Sequence, residues 1–183
     1  MLRVLVATSG SVASVKLPLI VEALRKHSDR LEVQVIATEH SLHFYNADKL
    51  PCRVWRDADE WKDWDKISDP IVHIELRRWA DLIVVAPCSA NTLAKIANGL
   101  CDNLLTSLLR AVDPSKTKVI LCPAMNTQMW QHPLTAIQLS MVKDVLGYQI
   151  MGPVSKNLAC GDDGMGAMSS WQEIVDAVVS AAG

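Results

Sequence analysis

The amino-acid sequence predicts an α/β fold with one doubly wound parallel sheet. Three observations carry that expectation. Four short runs, 2–7, 31–37, 82–86 and 118–122, are apolar, and three of them are almost continuously hydrophobic and β-branched. Strands read this way when a parallel sheet is covered on both faces. Helical patterns lie between the runs, giving the strand–helix rhythm of right-handed crossovers. The runs are followed by small, hydroxyl and amide residues, as at the ligand-bearing edge of an open sheet. The expected architecture is Rossmann/flavodoxin-like, in a single domain over 1–183.

Each element has its own signal. The first helix is expected over 12–26, where Val15, Leu19 and Ala23 recur on one face with Val21 and Leu24 beside them. Helical patterns over 92–96 and 104–111 follow the third strand, and 135–146 follows the fourth. The last helix is expected over 171–182. Two stretches break the rhythm. Residues 51–69 hold Trp55, Trp61 and Trp64 in a mixed-charge segment, which reads as a surface excursion with a short helix. Its Trp residues read as local packing or a subunit interface. Residues 152–168 are rich in Gly, Asp and Ser and read as a long, mobile loop.

Composition narrows the function classes. The 183 residues are 50% hydrophobic and 21% charged, which excludes global disorder. A net charge of −2 supplies no field for nucleic acid. Five cysteines, Cys52, Cys88, Cys101, Cys122 and Cys160, show neither a disulfide framework nor zinc-ligand spacing. Thiols without a framework suggest a reducing compartment, so a cytoplasmic location is expected. The longest run without Asp, Glu, Lys or Arg, 119–142, holds Pro123, Asn126, Gln128, Gln131 and Pro133 and is not expected to span a membrane. The chain opens on what reads as a strand rather than a secretory leader.

The chemistry concentrates after the strands. Thr8-Ser9-Gly10-Ser11-Val12-Ala13 follows the first, Pro87-Cys88-Ser89-Ala90-Asn91-Thr92 the third, and Pro123-Ala124-Met125-Asn126 the fourth. The first lacks the Lys of a nucleoside-triphosphate loop and the G-x-G-x-x-G of a dinucleotide site. A phosphate monoester held by hydroxyls and backbone amides remains. Any one of these segments is explained by helix capping, with Ser11, Ser89 and Asn91 as caps. Three on one edge favour a ligand site. His73, three residues after Pro70, falls early in a helix and reads as either structural or acid–base. Cys160 lies in Leu158-Ala159-Cys160-Gly161-Asp162, on a Gly-rich loop. It reads as either a reactive thiol or an inert one, unlike Cys101 and Cys122, which look like core filler.

Taken together, Ser9-Gly10-Ser11-Val12-Ala13, Ser89-Ala90-Asn91-Thr92, Pro123-Ala124-Met125-Asn126-Thr127-Gln128-Met129-Trp130 and the Cys160 loop resemble the flavin-dependent cysteine decarboxylase family. Within it, the segment from His73 to Asp81 is similar to the eukaryotic, halotolerance-protein-like branch. The resemblance covers about residues 2–180. One departure is Cys88, where the branch often carries an aliphatic residue.

The resemblance implies FMN as cofactor and 4′-phosphopantothenoylcysteine as substrate, in coenzyme A biosynthesis. It implies oxidation of the substrate CH₂–SH to a thioaldehyde, loss of CO₂ and re-reduction of the enethiolate. It assigns acid–base work to His73, carboxylate binding to Asn126 and the final proton donation to Cys160 on a clamp loop at 152–168. Lys156, Ala159 and Met129 complete the implied substrate contacts. Gly10, Ser11, Val12, Thr38, Ser41, Ser89, Ala90, Asn91, Thr92 and Ala124 are the implied FMN contacts. No metal is implied. A homotrimer with flavin at the subunit boundaries is expected, with the Trp-rich segment and Arg77-Arg78 at the interface. Three rivals come from the same superfamily. A halotolerance-type subunit that binds a protein phosphatase would not need His73, Asn126 and Cys160 together; some such relatives lack part of that set, and some carry a long acidic tail. Flavin prenylation has no need of Cys160. Peptidyl-cysteine decarboxylation is separated only by the eukaryote-like motifs.

Overall fold

A computed structural model describes residues 1–62, 64–157 and 163–183. Its centre is a six-stranded parallel sheet of β1 (Leu2–Thr8), β2 (Leu31–Ala37), β3 (Val54–Arg56), β4 (Leu82–Cys88), β5 (Lys118–Pro123) and β6 (Gln149–Ile150). The strand order is β3-β2-β1-β4-β5-β6, which is the Rossmann order. The predicted fold class is therefore the observed one.

Alternation along the strands builds two cores. Val4 and Val6 of β1 pack with α1 (Leu17–Arg25) and α7 (Trp171–Ala181), against Ile20, Leu24, Ile174 and Val178. Leu5 and Ala7 face the other way. There α2 (Val72–Trp79), α3 (Ala90–Asn98) and α4 (Leu104–Ala111) supply Leu76, Leu93, Leu105 and Leu108. Full burial of a side chain such as Leu5 or Leu105 contributes about 2 kcal/mol. Two covered faces explain why β4, buried along its whole length, carries no polar alternation.

The helices differ from expectation where backbone chemistry intervenes. The predicted helix over 12–26 opens as a 3-10 turn at Val12–Lys16 and becomes α-helical at Leu17. Pro18 has no N–H to give the Ser14 carbonyl, which accepts from Leu17 instead. The helix expected over 135–146 starts earlier, as α6 (Pro133–Ser140), and widens into a π turn at Met141–Val145. A short α5 (Thr127–Gln131) precedes it. α4 and α7 carry reciprocal caps, Asn103 with Thr106 and Ser170 with Glu173. Each such cap stabilises its helix by about 1 kcal/mol.

Two segments depart further. Residues 51–69 are not only a surface excursion. They contribute the edge strand β3 and a 3-10 turn at Asp57–Glu60. Trp55 is fastened to the sheet, its Nε1–H donating to Gln34 Oε1 at 2.7 Å beneath the Arg53 guanidinium, 3.7 Å from the ring. The stretch expected as a loop at 152–168 contains an antiparallel ribbon, β7 (Val154–Asn157) with β8 (Asp163–Ala167). Among the described residues, no helix is long and apolar enough to cross a membrane.

Candidate active site

Strand order reverses between β1 and β4, and the chains leaving them pass to opposite faces of the sheet. The crevice at their carboxyl ends is where an open α/β sheet binds ligands. Ser9 fastens this switch point. Its hydroxyl donates to the Pro87 carbonyl at 2.8 Å and accepts from the Ser89 amide at 2.8 Å. Ser9 is buried, so its role is to hold two ligand loops in register rather than to touch a ligand. Gly10 follows in the open, and a Cβ there would lie 2.9 Å from His40 Cβ, so the β1 and β2 loops require glycine to approach. Ser11 caps the 3-10 turn, accepting from the Ala13 amide at 3.3 Å, and Val12 is exposed beside it.

The loop after β2 brings Thr38 and Ser41 to the same edge. Ser41 is fully buried and already engaged: it donates to the Thr38 carbonyl at 2.8 Å and accepts from Thr8 Oγ1 at 2.9 Å. Thr38 differs. The residue is 5% exposed, and its Oγ1 has no partner among the described residues. A buried hydroxyl without a partner is costly and calls for an explanation.

After β4, Ser89 caps α3, its Oγ accepting from the Thr92 amide at 3.2 Å. The first-turn amides of such a helix, here including Ala90 and Asn91, find no acceptor within it and form an anion cradle. Ala124 closes the edge, its amide bonded to the Cys88 carbonyl at 3.0 Å. Asn126 caps α5, its Oδ1 accepting from the Gln128 amide at 2.8 Å, and Met129 is exposed on that helix. The ribbon docks on this segment through the Met125 amide and the Gly166 carbonyl, 2.9 Å apart. Gly164 is equally confined, since a Cβ there would come within 2.6 Å of Thr127 Oγ1.

His73 is the second residue of α2. Its Nδ1 lies 2.5 Å from Glu60 Oε1, with the two side chains 22% and 5% exposed. Glu60 was invisible in the sequence. It is one acid among several in a segment that reads as surface, and only the fold carries it inward. Lys156 lies in β7. Ala159 and Cys160, expected on the clamp, lie outside the described residues. The remaining cysteines carry no disulfide. Burial pushes the Cys122 thiol up to about 12 and the Cys88 thiol higher still, so both are core filler, whereas Cys101, expected to be core filler too, is exposed. No group of His, Cys, Asp and Glu among the described residues is arranged to hold a metal ion.

Fold and site together define a mononucleotide-binding α/β protein with an anion cradle at its switch point. The Flavoprotein family matches the chain over residues 1–183, and the chain belongs to that family. It is 53% identical to phosphopantothenoylcysteine decarboxylase of Mus musculus over 94% of this chain and 83% of that protein. Among solved structures it is similar to a cysteine-to-serine mutant of PPC decarboxylase complexed with pantothenoylaminoethenethiol. That match has a TM-score of 0.90 and 48% identity, covering 98% of this chain and 97% of the other. The FMN-binding protein AtHal3 is similar at a TM-score of 0.86 and 48% identity, over 97% of this chain and 95% of that one.

Proposed function

We propose that this chain is an FMN-dependent carboxy-lyase converting 4′-phosphopantothenoylcysteine to 4′-phosphopantetheine in coenzyme A biosynthesis. The observation that carries the reading is the gathering of 9–12, 38–41, 89–92 and 123–126 on one sheet edge, with the buried Thr38 hydroxyl, unpartnered among the described residues, within it. That orphan fits a bound flavin, which would supply its missing partner. The similarity to decarboxylases over nearly the whole chain supports the reaction.

FMN, when bound, supplies the two-electron oxidation of the substrate CH₂–SH to a thioaldehyde, which lets the neighbouring carboxylate leave as CO₂, and the matching reduction afterwards. Gly10, Ser11, Val12 and the Ser89–Thr92 turn hold its phosphate; Thr38 and Ala124 complete its contacts, with Ser41 buttressing Thr38. Asn126 holds the substrate carboxylate, and Met129, Lys156 and Ala159 line the rest of the substrate. His73 moves the proton at the reacting thiol, and Cys160 delivers the last proton.

The assembly is a homotrimer with flavin at the subunit boundaries. Leu134, Ile137, Met141 and Val145, exposed at helical spacing along α6 and its π turn, support an interface. The exposed Trp61 and Trp64 support a second contact patch. Arg77 and Arg78 are less suited to one, since Arg78 pairs with Glu75 at 2.7 Å and Arg77 Nη1 donates to the Ala111 carbonyl at 3.5 Å. The free thiols support a cytoplasmic location. Incubation of the FMN-loaded protein with phosphopantothenoylcysteine tests the function: CO₂ and phosphopantetheine are expected in equal amounts. Binding without turnover would leave the phosphatase-binding reading in its place.

A further inference from the structure

The 3-10 turn after β3 delivers one carboxylate to the interior. Glu60 is 5% exposed, its Oε1 lies 2.5 Å from His73 Nδ1, and its Oε2 has no partner among the described residues. A half-satisfied buried carboxylate is unfavourable for folding, so packing does not explain it. The turn that carries it is fastened from three directions. Asp57 Oδ2 accepts from the Glu39 amide at 3.1 Å, and Asp57 Oδ1 accepts from the Leu104 amide at 3.1 Å. Asp59 Oδ2 accepts from the Arg56 amide at 2.8 Å. These bonds tie the turn to the loop after β2, the start of α4 and the end of β3. The carboxylate is thus held on rigid elements, as the support of a site residue must be.

We propose that Glu60 is a positioning residue for His73. Its carboxylate accepts the Nδ1–H of the imidazole, fixes that tautomer and leaves Nε2 as the atom that exchanges a proton with substrate. When Nε2 takes up a proton, the imidazolium forms beside a carboxylate already in place, so no charge must be brought in during the reaction. The inference rests on the acid–base reading of His73.

The test uses the FMN-loaded protein with Glu60→Gln, Glu60→Ala, His73→Asn and the Glu60→Ala/His73→Asn double variant. Nitrogen-15 spectra of the His73 ring, recorded without substrate, read the tautomer. Anaerobic mixing with substrate reads the rate of flavin bleaching. The Nδ1–H form is expected in the parent protein and in Glu60→Gln, whose amide oxygen still accepts. Glu60→Ala should lose that form and bleach roughly 10- to 100-fold more slowly, with FMN retained and KM little changed. Glu60→Gln should fall between the two, and the double variant should be no slower than His73→Asn alone. An unchanged tautomer in Glu60→Ala, or a further fall of the same size on the His73→Asn background, would overturn the proposal. Fast bleaching by Glu60→Ala beside slow bleaching by His73→Asn overturns it alone. Normal bleaching by His73→Asn overturns the acid–base reading, and the positioning role with it.

Discussion

The Met125 amide donates to the Gly166 carbonyl at 2.9 Å, and Gly166, at φ +144°, has no room for a side chain because a Cβ there would overlap the Met125 carbonyl oxygen. This contact joins the β7–β8 ribbon to the segment that presents Asn126. The ribbon pairs Asn157 with Asp163, so its seat on Met125 also fixes the backbone at these two residues.

Gly166→Ala tests that joint. Both the backbone conformation and the steric overlap oppose the new methyl group. A loss of roughly 1–3 kcal/mol from the backbone alone is expected, with more from the overlap. A lowered denaturation midpoint, retained FMN and a raised KM are the expected results. Unchanged substrate affinity would separate the ribbon from the substrate site.

Thr38→Val tests the flavin site from the opposite direction. The valine keeps the shape and removes a hydroxyl that has no partner among the described residues. The apoprotein should be as stable as the parent or slightly more so, since a buried unsatisfied group is gone. FMN should bind about fivefold more weakly, as expected for one lost hydrogen bond of about 1 kcal/mol. Fluorescence titration of the apoprotein measures this. Unaltered affinity would leave the Thr38 hydroxyl without a role.

Arg3 and Asp81 give a prediction about acid stability. Asp81 accepts from Arg3 Nε at 3.0 Å, Nη2 at 2.8 Å and the backbone amide at 2.9 Å. The guanidinium bonds hold the carboxyl below its ordinary value of 3.8. The folded chain therefore binds this proton less readily than the unfolded chain. The stabilisation is complete above the ordinary value and is lost as pH falls through the lowered one. Asp81→Asn should melt below the parent at neutral pH, and the gap should close on acidification through and below pH 3.8. A gap independent of pH would show that the Arg3–Asp81 charge pair is not its source.

The central strands were legible because burial on both faces writes itself as continuous Val, Ile and Leu, as in β4. β3 and β6 were not, having only three and two residues, too few for a pattern to show. The strand-end segments were legible as chemistry because small hydroxyl residues recur there. Which of them face a ligand was not: Ser9 and Ser41 look alike in sequence to Ser11, yet the fold turns the first two inward. Glu60 was beyond reach for the same reason. Its meaning depends on meeting His73 across thirteen residues and a turn pinned from three sides.

In the proposed reaction an oxidative half releases CO₂ and a reductive half then needs an acid. Cys160→Ser separates the two, because a serine hydroxyl is a far weaker acid than a thiol. Anaerobic mixing of the FMN-loaded variant with phosphopantothenoylcysteine, with flavin absorbance and CO₂ followed together, is the most direct measurement. Bleaching that persists, about one CO₂ per active site and an enethiol product left unreduced are the expected results. Normal phosphopantetheine formation by this variant, or CO₂ release with no bleaching at all, would contradict the proposed reaction.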